Sequence, residues 1–151
     1  MRIASIGGDV TEILYALGAG DRLIAVDRGS RHPADASTKP QLGYKRQLSA
    51  EGLLALKPDL VIASDVAGPP ETIDVLKESS IPFVLIPQPR SADGVVAKIR
   101  LVGATIGETE RAEDYARIVQ AELDAVLTEI ASVPAGERKR VIYIHGVPST
   151  G

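Results

Sequence analysis

Ser49-Ala50-Glu51-Gly52-Leu53-Leu54-Ala55-Leu56-Lys57-Pro58-Asp59-Leu60-Val61-Ile62-Ala63 is the stretch that decides the fold. Ser49 offers a hydroxyl to cap a helix running through Leu56, and Lys57-Pro58-Asp59 ends it, since proline cannot continue a helical hydrogen-bond ladder. Leu60 to Ala63 is an unbroken apolar run with no polar alternation. Such a run is buried on both faces, which is the signature of a strand inside a parallel sheet covered by helices.

The same rhythm extends in both directions. Toward the N-terminus, Arg2 to Ile6 reads as a strand closed by Gly7-Gly8. Asp9-Val10-Thr11-Glu12 reads as a variant capping box, Ile13, Leu14 and Leu17 as the face of a short helix, and Gly18 as its stop. Leu23 to Val26 is a second strand. Toward the C-terminus, Pro69-Pro70 opens a helix to about Ser79, with proline in the first turn where its missing N–H costs nothing. Pro82 to Ile86 is a fourth strand. After Pro87 and Pro89 the pattern turns helical, over Ser91 to Ile106 and Thr109 to Val133. In the second of these, Ala112, Tyr115, Ala116, Val119, Leu123, Val126, Leu127 and Ile130 form one apolar face. A last strand is expected over Arg140 to Ile144. Strands separated by helices predict an α/β fold, an open parallel sheet flanked by helices, with a long joining helix appended. The ending soon after a fresh strand reads as a truncated chain.

Bulk properties narrow the function. The 151 residues include 44% hydrophobic and 25% charged positions, an ordinary globular balance, and carry a formal charge of −3. Mild acidity and scarce aromatics argue against nucleic acid as a partner. The absence of cysteine removes thiolate metal sites, redox pairs and a cysteine nucleophile. No apolar run reaches the length of a bilayer span, and no signal peptide is visible. Gly7-Gly8 with Asp9 and Glu12 beside it lacks the spacing and the charge of a pyrophosphate loop. No Gly-x-Ser-x-Gly elbow occurs. Asp27, Asp59 and Asp65 near strand ends suggest a phospho-acceptor domain, but the long loop and joining helix do not suit one. No paired acid–base or nucleophile constellation supports an enzyme.

The stretch from Asp27 to Gln47 is too long for a plain connection. In an open α/β sheet it lies at the carboxyl ends of the strands, where ligands bind. It contains Gly43-Tyr44-Lys45-Arg46, a phenol beside two cations.

Several segments together carry a resemblance. They are Ser5-Ile6-Gly7-Gly8-Asp9-Val10-Thr11-Glu12-Ile13, Leu42-Gly43-Tyr44-Lys45-Arg46-Gln47-Leu48-Ser49-Ala50-Glu51-Gly52, Leu56 to Ala63, and Ala67-Gly68-Pro69-Pro70. In these the chain resembles the haem-binding class III periplasmic substrate-binding proteins of bacterial ABC haem importers. The Lys57-Pro58-Asp59-Leu60-Val61 segment belongs to the wider class, which also takes cobalamin and ferric siderophores. The segment from Gly43 to Gly52 is the part that points to haem.

The resemblance implies two lobes joined by one long helix, with the ligand in the cleft between them. Residues 1–90 would be the N-terminal lobe, 91–136 the helical segment with the joining helix, and 137–151 the first strand of a second, mostly missing lobe. It implies a non-enzymatic, periplasmic carrier in iron uptake, with haem as the transported ligand and inner-membrane ABC permease subunits as partners.

By the same resemblance Tyr44 is the haem iron ligand, and metal enters through that iron alone. A phenolate is a hard donor suited to ferric iron. Arg46 is a haem contact, steadying the phenolate or pairing with a propionate, while Lys45 is expected to point elsewhere by alternation. Glu51 is the permease-docking acid. His145 and His32 are weaker candidates for haem contacts, and the text around His145, Ile144-His145-Gly146-Val147-Pro148, departs from the family's glycine-rich pattern. Tyr15, Tyr115 and Tyr143 read as packing residues. An apolar cleft or joining helix left uncovered would favour dimerisation. Alternatives are a cobalamin or ferric-siderophore carrier of the same fold or, from a different class, a small α/β signalling or enzyme domain.

Overall fold

The computed structural model describes residues 1–143. Four strands, β1 (Ile3–Ile6), β2 (Leu23–Val26), β3 (Leu60–Ser64) and β4 (Phe83–Ile86), form one parallel sheet in the order β2-β1-β3-β4. Five helices accompany them: α1 (Gly8–Ala16), α2 (Ala50–Ala55), α3 (Pro70–Glu78), α4 (Ala92–Ile106) and α5 (Thr109–Ser132). The expected α/β class is therefore the observed one.

Alternation along the strands builds two cores. Ile3, Leu60, Ile62 and Ile86 face α1, α4 and α5, meeting Val10, Leu14, Val96, Ile99 and Val102. Ala4, Ile6, Val61 and Ala63 face the other way, onto Leu53 of α2 and Ile73 and Leu76 of α3. Burial on both sides is why β1 and β3 read as continuous apolar runs in the sequence.

Ser49 and Ser91 cap α2 and α4, accepting from the backbone N–H of Gly52 and Gly94 at 3.2 and 3.1 Å. Gly18 takes a left-handed φ of 74° just past α1, as its stop position requires. Asp9 departs from its expected part. Helix α1 starts at Gly8, and Asp9 in its first turn sends its carboxylate to Lys98 and Gln88 instead of capping. A buried ammonium from a distant helix outcompetes the local cap.

The apolar face of α5 splits in two. Ala112 and Ala116 are buried, with Tyr115, Val119 and Leu123 packed against the core. Val126, Leu127 and Ile130, one to two turns beyond Leu123, are half exposed. Residues 140–143 are not a strand, and Val141, Ile142 and Tyr143 are exposed. An extended segment gains little outside a sheet, and the sheet of β2-β1-β3-β4 does not include these positions.

Candidate functional site

The loop after β2 is built from the buried carboxylate of Asp27, which is 1% exposed. One oxygen accepts from the Gly7 backbone N–H at 2.8 Å and from the Ser30 hydroxyl at 2.6 Å; the other accepts from the Gly29 N–H at 3.0 Å. The Ser30 hydroxyl continues to Thr11 and Thr11 to Ser5, each at 2.8 Å. This chain of buried polar groups ties the start of the loop to β1 and α1. With Ser30 turned inward, Arg28 and Arg31 are left facing solvent.

The far end of the loop returns along the free edge of β2. Val26 donates to the Pro40 carbonyl at 3.0 Å and accepts from the Leu42 N–H at 2.9 Å, and the Arg28 N–H reaches the Gly43 carbonyl at 2.7 Å. Gly43, at φ 82°, then turns the chain outward. A turn follows in which the Gln47 N–H donates to the Tyr44 carbonyl at 2.8 Å, and Gly68 clasps it by donating to the Lys45 carbonyl at 2.8 Å. Tyr15 secures the middle of the loop, its hydroxyl donating to Asp35 at 2.6 Å. Burial, with Asp35 next to it, pushes the Tyr15 phenol above its ordinary pKa.

Two adjoining hollows result. One, of about 400 Å³, is lined by Gly8, Asp27, Gly29, Tyr44, Lys45 and Arg46. The other, of about 540 Å³, is lined by Arg28, Ser30, Arg31, Ser37, Gln41 and Gly43. Tyr44 stands 55% exposed between them, with the Arg28 guanidinium 5.0 Å from the centre of its ring. Between Arg28 and Arg46 there are five cations and one exposed acid, Asp35. Lys39 pairs with Asp35 at 3.7 Å. Among the described residues, none of Arg28, Arg31, Lys45 and Arg46 has an acidic partner, and both oxygens of Asp27 are engaged within the loop.

The structure brings Tyr44 and Arg46 together at one hollow. Lys45 joins them, because residues 44–47 are a turn, where the alternation of a strand does not apply. The sequence pattern alone does not single out Arg28 and Arg31. Their signal was present in the excess of cations over acids, but nothing local said that Ser30 would turn inward and leave them outside. His32 is exposed on the same loop and lines neither hollow. Glu51 lies exposed in the first turn of α2. His145 lies outside the described residues.

At the switch point itself, between β1 and β3, the crevice is filled. The Lys98 side chain is 3% exposed and pairs with Asp9, while Gln88 Nε2 donates to Asp9 at 3.0 Å and to the Ser64 hydroxyl at 2.6 Å. Burial pushes the Asp9 carboxyl up, but Lys98 and Gln88 outweigh it and hold it below its ordinary value. Gly7 must lack a side chain here, because a Cβ would stand 3.1 Å from both Asp9 and Ser64 at a φ of 120°. The open site is thereby displaced toward the β1–β2 side. Among the described residues no cluster of three or more His, Asp or Glu side chains could hold a metal ion. No helix there is long and apolar enough to cross a membrane.

This geometry, an open hollow at the carboxyl edge of a doubly wound sheet, coincides with a family match over residues 3–151, to the periplasmic binding proteins. The chain belongs to that family. Among curated relatives, this binding protein is 33% identical over 122 residues to a vitamin B12-binding protein of Pectobacterium carotovorum, covering 81% of the chain and 44% of the relative. Among solved structures it is similar to the periplasmic heme-binding protein RhuT from Roseiflexus sp. RS-1, with a TM-score of 0.82 and 40% identity over 88% of this chain and 52% of that one. It is also similar to the heme-binding protein HutB of Vibrio cholerae, with a TM-score of 0.78 and 35% identity over 89% of this chain and 51% of that one. The chain spans about half the length of the relatives it matches.

Proposed function

We propose that this chain is part of the substrate-binding component of an ABC importer that captures ferric haem and delivers it to a membrane permease, making and breaking no covalent bond of its cargo. The observation that carries the reading is Tyr44, a phenol more than half exposed at the mouth of a hollow rimmed by cations without counter-ions. Phenolate is a hard donor and an established axial ligand of haem iron. A ferric siderophore arrives with its iron already enclosed by its own donors, so it makes no use of such a group. Cobalamin presents amides in place of free carboxylates and makes little use of the cations. Haem offers both an axial position and two carboxylates.

Relatives named for heme and for vitamin B12 both lie close to the chain, so the cobalamin carrier is the second reading. Within the proposal, Tyr44 ligates the iron and Arg46 serves the phenolate or a propionate. Glu51, exposed at the start of α2, docks the permease. Residues 1–90 form the N-terminal ligand lobe and 91–136 a helical segment that includes the joining helix α5, with 137–151 opening a second lobe. The location proposed for the protein is periplasmic.

An absorbance titration with haemin, beside Tyr44→Phe, tests the reading. A ferric tyrosinate-type spectrum is expected in the parent and not in the variant. Identical spectra in both would remove Tyr44 as the ligand. Retention of cyanocobalamin with no uptake of haemin would move the assignment to a corrinoid carrier.

A further inference from the structure

The hollow lined by Arg28, Ser30, Arg31, Ser37, Gln41 and Gly43 is the larger of the two, and it does not contain the tyrosine. We infer that it is a carboxylate subsite, taking the anionic edge of a metalloporphyrin whose iron stands at Tyr44. The inference rests on the haem reading for the identity of the porphyrin, but not for the chemistry of the hollow.

Three observations carry it. The two charged groups lining the hollow are both guanidinium groups, and the Gln41 amide beside them is a further donor to an oxygen anion, while the Ser30 hydroxyl is spent on Asp27. Among the described residues neither Arg28 nor Arg31 has an acidic partner, although the chain as a whole carries more acids than bases. Cations left unpaired side by side repel one another, and an arriving dicarboxylate relieves that repulsion. Finally, the hollow is held in register with the phenol. The Arg28 N–H to Gly43 carbonyl bond of 2.7 Å joins its two walls, and Gly43 is the residue before Tyr44. The Ser37 hydroxyl donates to the Arg31 carbonyl at 3.4 Å, and Ser30 is anchored to Asp27, so Arg31 is tethered from both sides. Arg28, with its guanidinium over the Tyr44 ring, spans the boundary between the hollows.

Guanidinium matches a carboxylate through two parallel N–H donors. The subsite therefore selects a porphyrin with free acid groups over one whose acids are esterified, and it does so whether or not a metal is present.

The test compares protoporphyrin IX with its dimethyl ester, both metal-free and as the ferric complexes, by porphyrin fluorescence and absorbance. The variants are Arg31→Gln, Arg31→Lys and Tyr44→Phe. Arg31 is chosen because it is exposed and lies in neither core, so its loss leaves the fold intact. The parent is expected to hold the diacid roughly five- to tenfold tighter than the diester, the scale of a partly exposed charge-assisted pair. Arg31→Gln should remove most of that preference and its salt dependence, and Arg31→Lys should restore part of it. Tyr44→Phe should lose the ferric tyrosinate spectrum but keep the preference among metal-free porphyrins. An equal preference in parent and Arg31→Gln overturns the subsite while leaving the haem reading intact. Loss of the ferric spectrum's dependence on Tyr44, with the diacid preference retained, overturns the iron ligand and leaves the subsite standing.

Discussion

Replacing Asp27 by asparagine changes one atom in the buried group that holds the ligand loop. The amide oxygen can occupy the position that accepts from the Gly7 N–H at 2.8 Å and the Ser30 hydroxyl at 2.6 Å. Its NH2 then faces the Gly29 N–H, donor against donor, across a contact now 3.0 Å long. Two hydrogen bonds lose their charge assistance, worth about 0.5–1 kcal/mol each, and the loss of the third costs about 1 kcal/mol more, for a total of about 2–3 kcal/mol. Ser30 keeps its bond to Thr11, and Gly29 is exposed enough to find water, which is why the figure stays below a full buried-charge penalty. At the 2–4 °C per kcal/mol typical of a chain of this size, Tm should fall by about 5–10 °C. Circular dichroism melts of parent and Asp27→Asn measure it directly, and urea midpoints should move in the same direction. A melting temperature within 1 °C of the parent would refute the argument that this carboxylate anchors the loop.

Two further perturbations address the other supports of the site. Lys98→Met removes the partner that holds the Asp9 carboxyl below its ordinary value, leaving burial to push it up. In the parent, Asp9 contributes stability above the usual aspartate pKa of about 3.9 that is lost as pH falls through the lowered value. The variant should therefore begin its acid unfolding at higher pH in urea midpoints taken from pH 3 to 7, and an unshifted profile would contradict the pairing. Gly103→Ala places a Cβ into that of Ala112 where α4 crosses α5. It should cost about 1–3 kcal/mol by overpacking, with part regained by adding Ala112→Gly. A Gly103→Ala chain as stable as the parent in thermal melts would show that the helices are free to separate.

Much of this protein was determined locally. The apolar run Leu60–Ala63, the Ser49 and Ser91 caps, and the prolines and glycines between elements set strand and helix positions to within a residue or two. Their signals act within a few positions along the chain. Tyr44 and Arg46 are visible locally only as a phenol beside cations in a long polar loop, and the roles expected of them come from the resemblance carried by the segment from Gly43 to Gly52.

What only the tertiary structure decided depends on groups far apart in sequence. Asp9 reads as a cap until Lys98, 89 positions later, arrives beside it. Arg28 and Arg31 become walls of a hollow because Asp27 bonds Gly7, 20 positions earlier, and turns Ser30 inward. The apolar stripe of α5 has one period throughout, yet only its first half meets a core. Hydrophobic spacing states which face of an element seeks cover, because that follows from the pitch of the helix. Whether cover exists, and which charges are left without partners, follows from which elements meet.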